Sequence, residues 1–474
     1  MNRRLTVLAL LASLLVLLGL TAAPAERRTD GEPFGTAAAP GPPAADPPGV
    51  LGSTWYCAFG TALPEGGANM TLVVTNAGAD ARQGTVTWYP AGAAPVVAPL
   101  DIEGLSTALV PAIDAVQAPL VSAVVEVDGG EVVVEHVIGS AAGADAAPCA
   151  TESSDRWYTA NGSTARGAAQ VLALFNPFPD DAVVDIRFDT NEGLAEPEAT
   201  QGVAVPAGTT TIVDLTVTGP LRQDTTAASV IARRGRLIVE RVQAFPGQAD
   251  RGVGLTLAAP APAEVWTFPE GIYLEGVTER WAVFNPTDEE AIVALEVVPD
   301  EGEPPEPLEL TVGPGRQYVQ LADDTVVPAG VGHSSTIRSL NGVPVVAERE
   351  ISSNVPGRRG WSSMLGAPSA ARRWVLAAGG ASEASDEWLM VVNPGSTPVT
   401  LRVRGIDDGE LVDIDDLASV TLAPAERRQL RVRDAIEAEA LSLLVEADGP
   451  IVVERDIFSP SIGAIAVLGV PLTE

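Results

Sequence analysis

Hydrophobic and polar positions alternate with a period of two along much of this chain. In residues 184–189, Val184, Ile186 and Phe188 alternate with charged side chains, and residues 401–404 repeat the alternation. Such a pattern places apolar and polar side chains on opposite faces of a half-buried strand. Turn-forming residues, 46 glycines and 39 prolines, recur between the apolar runs. The pattern predicts an all-β chain of short strands joined by turns.

Three landmarks recur four times along the chain. Each repeat opens on a tryptophan, has an asparagine about twenty residues later where a hydrophobic run stops, and closes on an aliphatic strand that carries a glutamate followed by a basic residue. The landmarks are Trp55, Trp157, Trp266 and Trp374; Asn76, Asn176, Asn285 and Asn393; and Glu135-His136, Glu240-Arg241, Glu348-Arg349 and Glu454-Arg455.

The glutamates are 105, 108 and 106 residues apart. This period suits one small sandwich domain, whereas propeller blades repeat at about 40 to 50 residues. The sequence therefore predicts four tandem immunoglobulin-like β-sandwich domains, over residues 52–150, 151–260, 261–370 and 371–474.

Two turn signals mark strand ends within a repeat. In three repeats the asparagine precedes a proline, which cannot donate to a strand ladder and so ends the strand. An Asp-Gly, Arg-Gly or Asn-Gly pair precedes the last Glu-basic strand, at residues 128–129, 234–235, 341–342 and 448–449. Such pairs between apolar runs predict tight hairpins.

The N-terminal region has the composition of an export signal. Arg3-Arg4 precedes an apolar segment over residues 5–20, followed by a small-x-small cleavage site at residues 23–25. Residues 1–25 therefore read as a signal peptide or an uncleaved N-terminal anchor. Residues 26–51, rich in proline, alanine and glycine, predict a disordered linker. We expect an extracytoplasmic protein that is secreted or tethered to the outer face of the membrane, with membrane contact only through an uncleaved leader.

The chain has two cysteines, Cys57 and Cys149, at the start and end of the first repeat. In an exported protein this placement predicts a disulfide that joins the two ends of one domain. Two unpaired thiols are the alternative. A cysteine metal site is disfavoured because the chain has no Cys-x-x-Cys motif.

The formal net charge of −33 comes from 62 acidic residues against 29 basic ones. Such a surface disfavours nucleic acid and anionic lipid as partners. Paired aspartates, as in residues 180–181, 323–324, 407–408 and 413–416, are candidate cation sites. Solvated turns explain them more simply, and none of these segments has the pattern of a calcium-binding loop.

Candidate catalytic residues are few. The chain has two histidines, which disfavours a multi-histidine metal site. His333 precedes Ser334 and Ser335, but no nucleophile elbow accompanies them. A pair of catalytic carboxylates like that of the glycosidases is compatible with the sequence, since acidic residues are frequent. We predict no catalytic constellation and no cofactor.

The Glu-basic pair itself has two interpretations. Neighbouring residues of a strand point to opposite faces, so the two are not each other's partners. One interpretation is a binding site repeated once per domain. The other, which we favour, is a structural charge held by a cross-strand or loop partner at the sandwich edge.

The leader, the linker, the opening Trp55-Tyr56-Cys57 and the later tryptophan and Asn-Pro repeats resemble domain-of-unknown-function family 5719, a group of uncharacterised exported actinobacterial proteins. The resemblance spans most of residues 50–474. It implies a cell-envelope setting and carries no catalytic residues.

Two functions are compatible with the sequence. The first is a non-enzymatic envelope scaffold or adhesion protein that presents tandem sandwiches to an envelope polymer or a protein partner. The second is an envelope enzyme, or an accessory to one, that acts on glycan through carboxylates in a cleft between domains. We favour the scaffold, because the chain is a tandem repeat with no recognisable catalytic chemistry.

Overall fold

The computed structural model describes residues 41–140, 143–245, 252–461 and 463–473. These residues form antiparallel strands grouped into four sandwich units. The strands of unit 1 are β1 (Gly52–Cys57), β2 (Asn69–Asn76), β3 (Arg82–Pro90), β4 (Val96–Ile102), β5 (Ser106–Pro111), β6 (Val121–Asp128), β7 (Val132–Ser140) and β8 (Gly143–Pro148). Those of unit 2 are β9 (Arg156–Thr159), β10 (Ala169–Asn176), β11 (Ala182–Thr190), β12 (Gly193–Ala195), β13 (Val203–Val205), β14 (Thr209–Asp214), β15 (Thr226–Arg234), β16 (Ile238–Phe245) and β17 (Gly252–Leu257).

Units 3 and 4 repeat this series. Unit 3 contains β18 (Val265–Phe268), β19 (Val277–Phe284), β20 (Ala291–Pro299), β21 (Leu308–Val312), β22 (Gln317–Leu321), β23 (His333–Ser339), β24 (Val346–Ser353) and β25 (Gly360–Leu365). Unit 4 contains β26 (Ala371–Leu376), β27 (Asp386–Val392), β28 (Val399–Asp407), β29 (Glu410–Asp413), β30 (Val420–Leu422), β31 (Arg427–Arg431), β32 (Ser442–Ser459), β33 (Gly463–Leu468) and β34 (Val470–Pro471). The described helices are short 3₁₀ turns at Ala112–Asp114, Glu198–Thr200, Asp415–Leu417 and Val432–Asp434.

Each unit is a sandwich of two antiparallel sheets, which confirms the all-β prediction. In unit 1 the sheets have the orders β1-β6-β3-β4 and β5-β2-β7-β8, and unit 3 has the same orders in β18 to β25. The first strand thus pairs with the sixth, whereas an immunoglobulin domain pairs its first strand with its second. The agreement with the prediction is therefore one of architecture, and the strand order is different.

The glycine before each Glu-basic strand does not make a hairpin, and that prediction is wrong. β6 and β7 lie in different sheets, as do β15 and β16, and β23 and β24. Gly129, Gly235 and Gly342 have φ of 75°, 80° and 77°, so the turns do use the left-handed conformation open to glycine. The connection crosses from one sheet to the other. In unit 4 the single long strand β32 makes the same crossing, pairing first with β28 and then with β27.

The four asparagines close strand two by the same set of hydrogen bonds. Asn176 is buried; its Nδ2 donates to the carbonyl oxygens of Asp180 and Val205, at 2.9 and 3.0 Å, and its Oδ1 accepts from the Phe178 N–H at 3.1 Å. Equivalent bonds are made by Asn76, Asn285 and Asn393. One amide thus satisfies three backbone groups where the chain leaves the sheet, which explains the choice of asparagine.

The tryptophans that open the repeats are core residues. All four indole rings are buried. Three of them donate from Nε1 to the backbone carbonyl three residues before the glutamate of the Glu-basic pair: Trp157 to Leu237, Trp266 to Val345 and Trp374 to Ile451. The side chain ties the two sheets of its unit together, because it comes from the first strand of one sheet and bonds to the start of a strand in the other.

The units close into a ring. The last strands of the four units meet at its centre: β8 packs against β17 and β33, and β25 packs against the same two strands. Unit 4 therefore contacts unit 1 as well as unit 3. Ala45 extends this closure, since it forms a parallel bridge to Leu472 and is buried in the core shared by units 1 and 4. The end of the predicted linker is thus part of the fold, while residues 1–40, with the predicted leader, lie outside the described residues.

Candidate functional site

The Glu-basic residues lie at the junctions between units, where each glutamate reaches the basic residue of the preceding unit. We call the eight residues the Glu-basic ring. His136 Nε2 lies at hydrogen-bond distance, 3.2 Å, from Glu240 Oε2, and three ion pairs complete the ring: Arg241 to Glu348 at 2.6 Å, Arg349 to Glu454 at 2.5 Å and Arg455 to Glu135 at 2.8 Å. The last pair joins unit 4 back to unit 1. The expected partner at the edge of the same sandwich is therefore replaced by one in the neighbouring unit.

Each glutamate also accepts a backbone N–H at the end of its neighbour's first strand. Glu240 accepts from Ala58, Glu348 from Ala160 and Glu135 from Ala377, at 2.9, 2.7 and 3.0 Å. In unit 3 the equivalent position is Pro269, which has no N–H. Glu454 accepts instead from the next residue, Glu270, at 3.0 Å. The glutamate thus caps an otherwise free backbone group at every junction.

The ring is buried. All eight side chains are at most 1% exposed. Transferring a charge out of water is costly, so each pair depends on its partner and on the backbone donor for compensation. An accessible ligand would not reach these groups without separating the units. The geometry therefore gives the repeated signature a role in assembly, and the interpretation as a fourfold ligand site loses its basis.

A second contact distinguishes one junction from another. It uses a residue of β5, β14, β22 or β31 that faces the preceding unit: Thr107 in unit 1, Thr210 in unit 2, Gln317 in unit 3 and Arg427 in unit 4. Thr107 and Thr210 bond to the hydroxyls of Ser442 and Ser122, whereas Gln317 takes Asp189 and Arg427 takes Asp300 and Glu270. The contacts of Gln317 and Arg427 therefore differ between junctions and favour particular neighbours, whereas the two Thr–Ser contacts are alike.

The ring centre is packed by complementary side chains. Gly254 on β17 leaves a hole that Trp361 on β25 fills: a Cβ at Gly254 would lie 2.2 Å from Cζ3 of that indole. Trp361 also stacks edge-on against Phe245, with ring centroids 5.0 Å apart. Unit 2 and unit 3 therefore fit together by a small residue facing a large one.

Gly254→Ala is expected to lower the free energy of unfolding by about 1 to 3 kcal/mol, the usual cost of overpacking. Gly254→Ala combined with Trp361→Leu should recover part of the loss, because the smaller side chain frees the hole. Thermal unfolding of the three proteins measures both effects. Equal stability of wild type and Gly254→Ala would contradict the close packing.

Unit 1 carries the predicted disulfide, which is formed between Cys57 and Cys149. Unit 3 places a large and a small residue at these two positions, Phe268 and Gly366. His136 lies beside the bridge, with Nδ1 3.4 Å from Cys149 Sγ. The two thiolates and the imidazole would suit a zinc ion in composition, but both sulfurs are bonded to each other here. The group is a cross-link in this state.

The junction of units 3 and 4 gathers the most buried carboxyls. Burial raises the pKa of Glu270, opposed by the Arg427 guanidinium, and burial with the nearby Glu454 and Glu270 charges raises the pKa of Asp456 well above its usual range. Glu270 and Asp456 border a cavity of about 50 Å³ together with Arg358. That volume holds one or two water molecules and is too small for a sugar ring.

Glu387 is a buried carboxyl on strand two of unit 4. Burial raises its pKa to about 7, although Arg455 and the Gly380 N–H, at 2.8 Å from Oε2, act in the opposite direction. Its Oε1 has no hydrogen-bond partner among the described residues. Because burial disfavours the charged carboxylate, the folded protein is more stable when Glu387 is protonated than when it is ionised.

The sign of the pH effect follows from that raised pKa. The stabilisation by protonated Glu387 is fully present below its unfolded pKa of 4.5 and is lost as the pH rises through about 7. Glu387→Gln, which cannot ionise, should match the wild type at pH 4.5 and exceed its stability by roughly 3 kcal/mol at pH 8. Chemical denaturation at the two pH values measures this. The control is Glu383→Gln, at an exposed residue in the preceding loop. The account would be contradicted if the difference in stability between Glu387→Gln and the wild type were the same at both pH values.

The other candidate residues lie apart from the ring. His333 is buried against Glu279, with Nε2 3.2 Å from Oε2, and Ser335 accepts a hydrogen bond from Trp281. This arrangement is packing within unit 3 and brings no nucleophile to the surface. Of the paired aspartates, Asp407 and Asp408 are exposed at a cleft between units 4 and 1. Sequence reasoning missed this cleft and the buried Asp456 and Glu387.

Comparisons with known proteins give one family. A family model described as a family of unknown function, DUF5719, matches residues 114–359. No curated protein matches the chain. Solved structures with some similarity include a Thermotoga maritima protein, 1070 (20% identity, 22% of this chain and 94% of that one, TM-score 0.21), and the Anabaena sensory rhodopsin transducer (26%, 18% and 94%, 0.17). The major pilin of Streptococcus pyogenes, as an N168A mutant, covers 64% of this chain and 99% of its own, at 8% identity and a TM-score of 0.14.

Proposed function

The chain belongs to DUF5719, a family of unknown function, and we propose that it is a non-enzymatic scaffold or adhesion protein of the cell envelope. In this proposal it is secreted or tethered by its N-terminal leader, and it presents the loops of a closed ring of sandwiches to an envelope polymer or a protein partner. In the described part of the chain, no helix has the length and apolar character needed to cross a membrane.

One observation carries the proposal. The Glu-basic motif, which recurs in every unit, is buried between the units and links them. What the molecule offers to a partner is then its loops, in a fixed spatial arrangement. Rigid presentation of several loops reduces the ordering cost of binding, which is the physical advantage of such a scaffold.

The test is a binding screen of the purified protein against cell-wall and membrane fractions, alongside pull-downs from the same cells. Because the net charge is −33, retention should be measured at low and high salt and with and without a chelator of divalent cations. We expect specific retention by one fraction, or one co-purifying protein, that the heat-unfolded protein does not show. Retention by neither would remove the basis of the scaffold proposal.

The alternative is an envelope enzyme that acts on glycan through carboxylates between units. Its support is the pair Glu270 and Asp456, whose raised pKa values resemble those of general acids. The 50 Å³ cavity beside them disfavours it. Release of reducing ends from wall polymer by the wild type, abolished in Asp456→Asn but kept in the control Asp324→Asn, would favour the enzyme over the scaffold.

A further inference from the structure

The junction between units 4 and 1 has an open cleft of about 420 Å³, within the range of small-molecule sites. We call it the closure cleft. Its apolar wall includes Leu109 and Val137 of unit 1 and Ile457 and Ile465 of unit 4. Asp407 and Asp408 lie at its rim and are exposed. The lining thus combines a hydrophobic surface with two carboxylates and contains no basic side chain.

The cleft lies where the junction of units 1 and 2 has two large aromatic side chains. At the junction of units 1 and 2, Tyr89 packs edge-on against Phe175, with ring centroids 5.1 Å apart. The strand registers place Ile406 at the position of Tyr89, since they lie opposite Ser442 and Ser122 respectively. Thr75, directly before Asn76, takes the place of Phe175. Smaller residues at both positions leave the space open.

Polar contacts fill the equivalent region elsewhere. Between units 2 and 3, the Gln317 backbone N–H donates to the Asp189 carboxylate at 2.7 Å and its side-chain Nε2 donates to the Asp189 carbonyl at 3.2 Å. Between units 3 and 4, Arg427 pairs with Asp300 at 2.6 Å. At the closure cleft only hydroxyls meet, with Thr107 2.8 Å from Ser442. Three junctions are therefore sealed by specific side chains, and the ring-closing junction is not.

The rim charges are free to act on a ligand. Among the described residues, neither Asp407 nor Asp408 has a cationic partner within ion-pair distance. Hydrogen bonds fix the backbone of the cleft wall near them. Ala377 and Ala378 donate their N–H groups to Glu135, and Gly380, which follows the last residue of this wall segment, donates to Glu387. A preformed apolar cavity with carboxylates at its mouth is complementary to a small molecule that has an apolar body and a cationic head.

We propose that the closure cleft binds a small amphiphilic amine, with its apolar part against Leu109, Ile457 and Ile465 and its ammonium group between Asp407 and Asp408. The inference does not depend on the scaffold proposal, because it concerns a different surface and a different class of ligand. Exposed charges in contact attract each other only modestly in water. The two carboxylates together should therefore raise the affinity for an ammonium compound about tenfold over that for an uncharged compound of the same size.

The test uses three probes of matched size and different charge: hexylamine, hexan-1-ol and hexanoate. Isothermal titration calorimetry on the purified protein at pH 7 should show hexylamine binding about tenfold tighter than hexan-1-ol, and hexanoate weakest. Asp407→Asn with Asp408→Asn should reduce hexylamine affinity to that of hexan-1-ol. Asparagine suits the second position because Asp408 has φ of 41°, which asparagine tolerates.

Two further variants control the test. Asp288→Asn with Asp324→Asn removes the same charge from exposed positions of unit 3 and should leave hexylamine affinity unchanged. Ala440→Trp adds bulk at an exposed position of the cleft lining and should weaken all binding at least tenfold. The proposal is overturned if hexylamine does not bind, if hexan-1-ol binds equally well, or if the two rim substitutions have no more effect than the control pair.

Discussion

Arg455→Met is expected to lower the free energy of unfolding by about 3 to 5 kcal/mol, because it leaves the buried Glu135 without its cation. Glu135 is fully buried and lies 2.8 Å from Nη2 of Arg455. Methionine keeps the apolar stem of the side chain and so isolates the loss of charge. Thermal and chemical unfolding of the purified protein measure the change.

The control for this prediction is Arg402→Met, an arginine of the same unit that is exposed on β28. A surface replacement of this kind usually changes stability by less than about 0.5 kcal/mol. If Arg455→Met lowered the free energy of unfolding no more than Arg402→Met does, the prediction that the ion pair stabilises the ring would be contradicted.

Removing the disulfide is the second large effect. Cys57 and Cys149 are separated by 92 residues, and a cross-link over such a loop is worth about 4 to 5 kcal/mol in the chain-entropy model. Cys57→Leu with Cys149→Gly should lose this stabilisation while keeping the packing, because unit 4 uses Leu376 and Gly469 at the same two positions. Replacing both cysteines by serine should cost more, since it also buries two hydroxyls.

Reduction of the wild type supplies an independent measurement. A dithiol reductant should lower the unfolding midpoint of the wild type and leave the Leu-Gly variant unchanged. A wild-type midpoint that is insensitive to the reductant, under conditions where free thiols are detected, would contradict the stabilising role of the bridge.

The repeat and the sandwich architecture could be predicted from the sequence because they depend on local signals. The alternation seen in Val184 to Phe188 fixes the strand faces, and the asparagines end strand two through contacts within a few residues. The Asp-Gly turns show the limit of such signals. A glycine with positive φ fits both a hairpin and a crossing between sheets, and only the pairing of β6 with β1 and β3 decides between them.

Ring closure could not be predicted, because a straight rod of four units would carry the same motif spacing. One clue was present: a glutamate and an arginine within an apolar run such as residues 237–242 require partners away from their own strand. The identity of the partner depends on how whole units pack. The closure cleft is even harder to predict from the sequence, because it arises from small differences at equivalent positions, such as Ile406 in place of Tyr89.

The most direct test of the central claim is a double-mutant cycle between Arg455 and Glu135, which are 320 residues apart in sequence. We expect Arg455→Met with Glu135→Gln to be destabilised by much less than the sum of the single replacements, because the second change removes the unpaired charge that the first one leaves. Unit 4 and unit 1 would not touch in an open chain of sandwiches. Effects of the two replacements that add within about 0.5 kcal/mol would therefore contradict the closed ring.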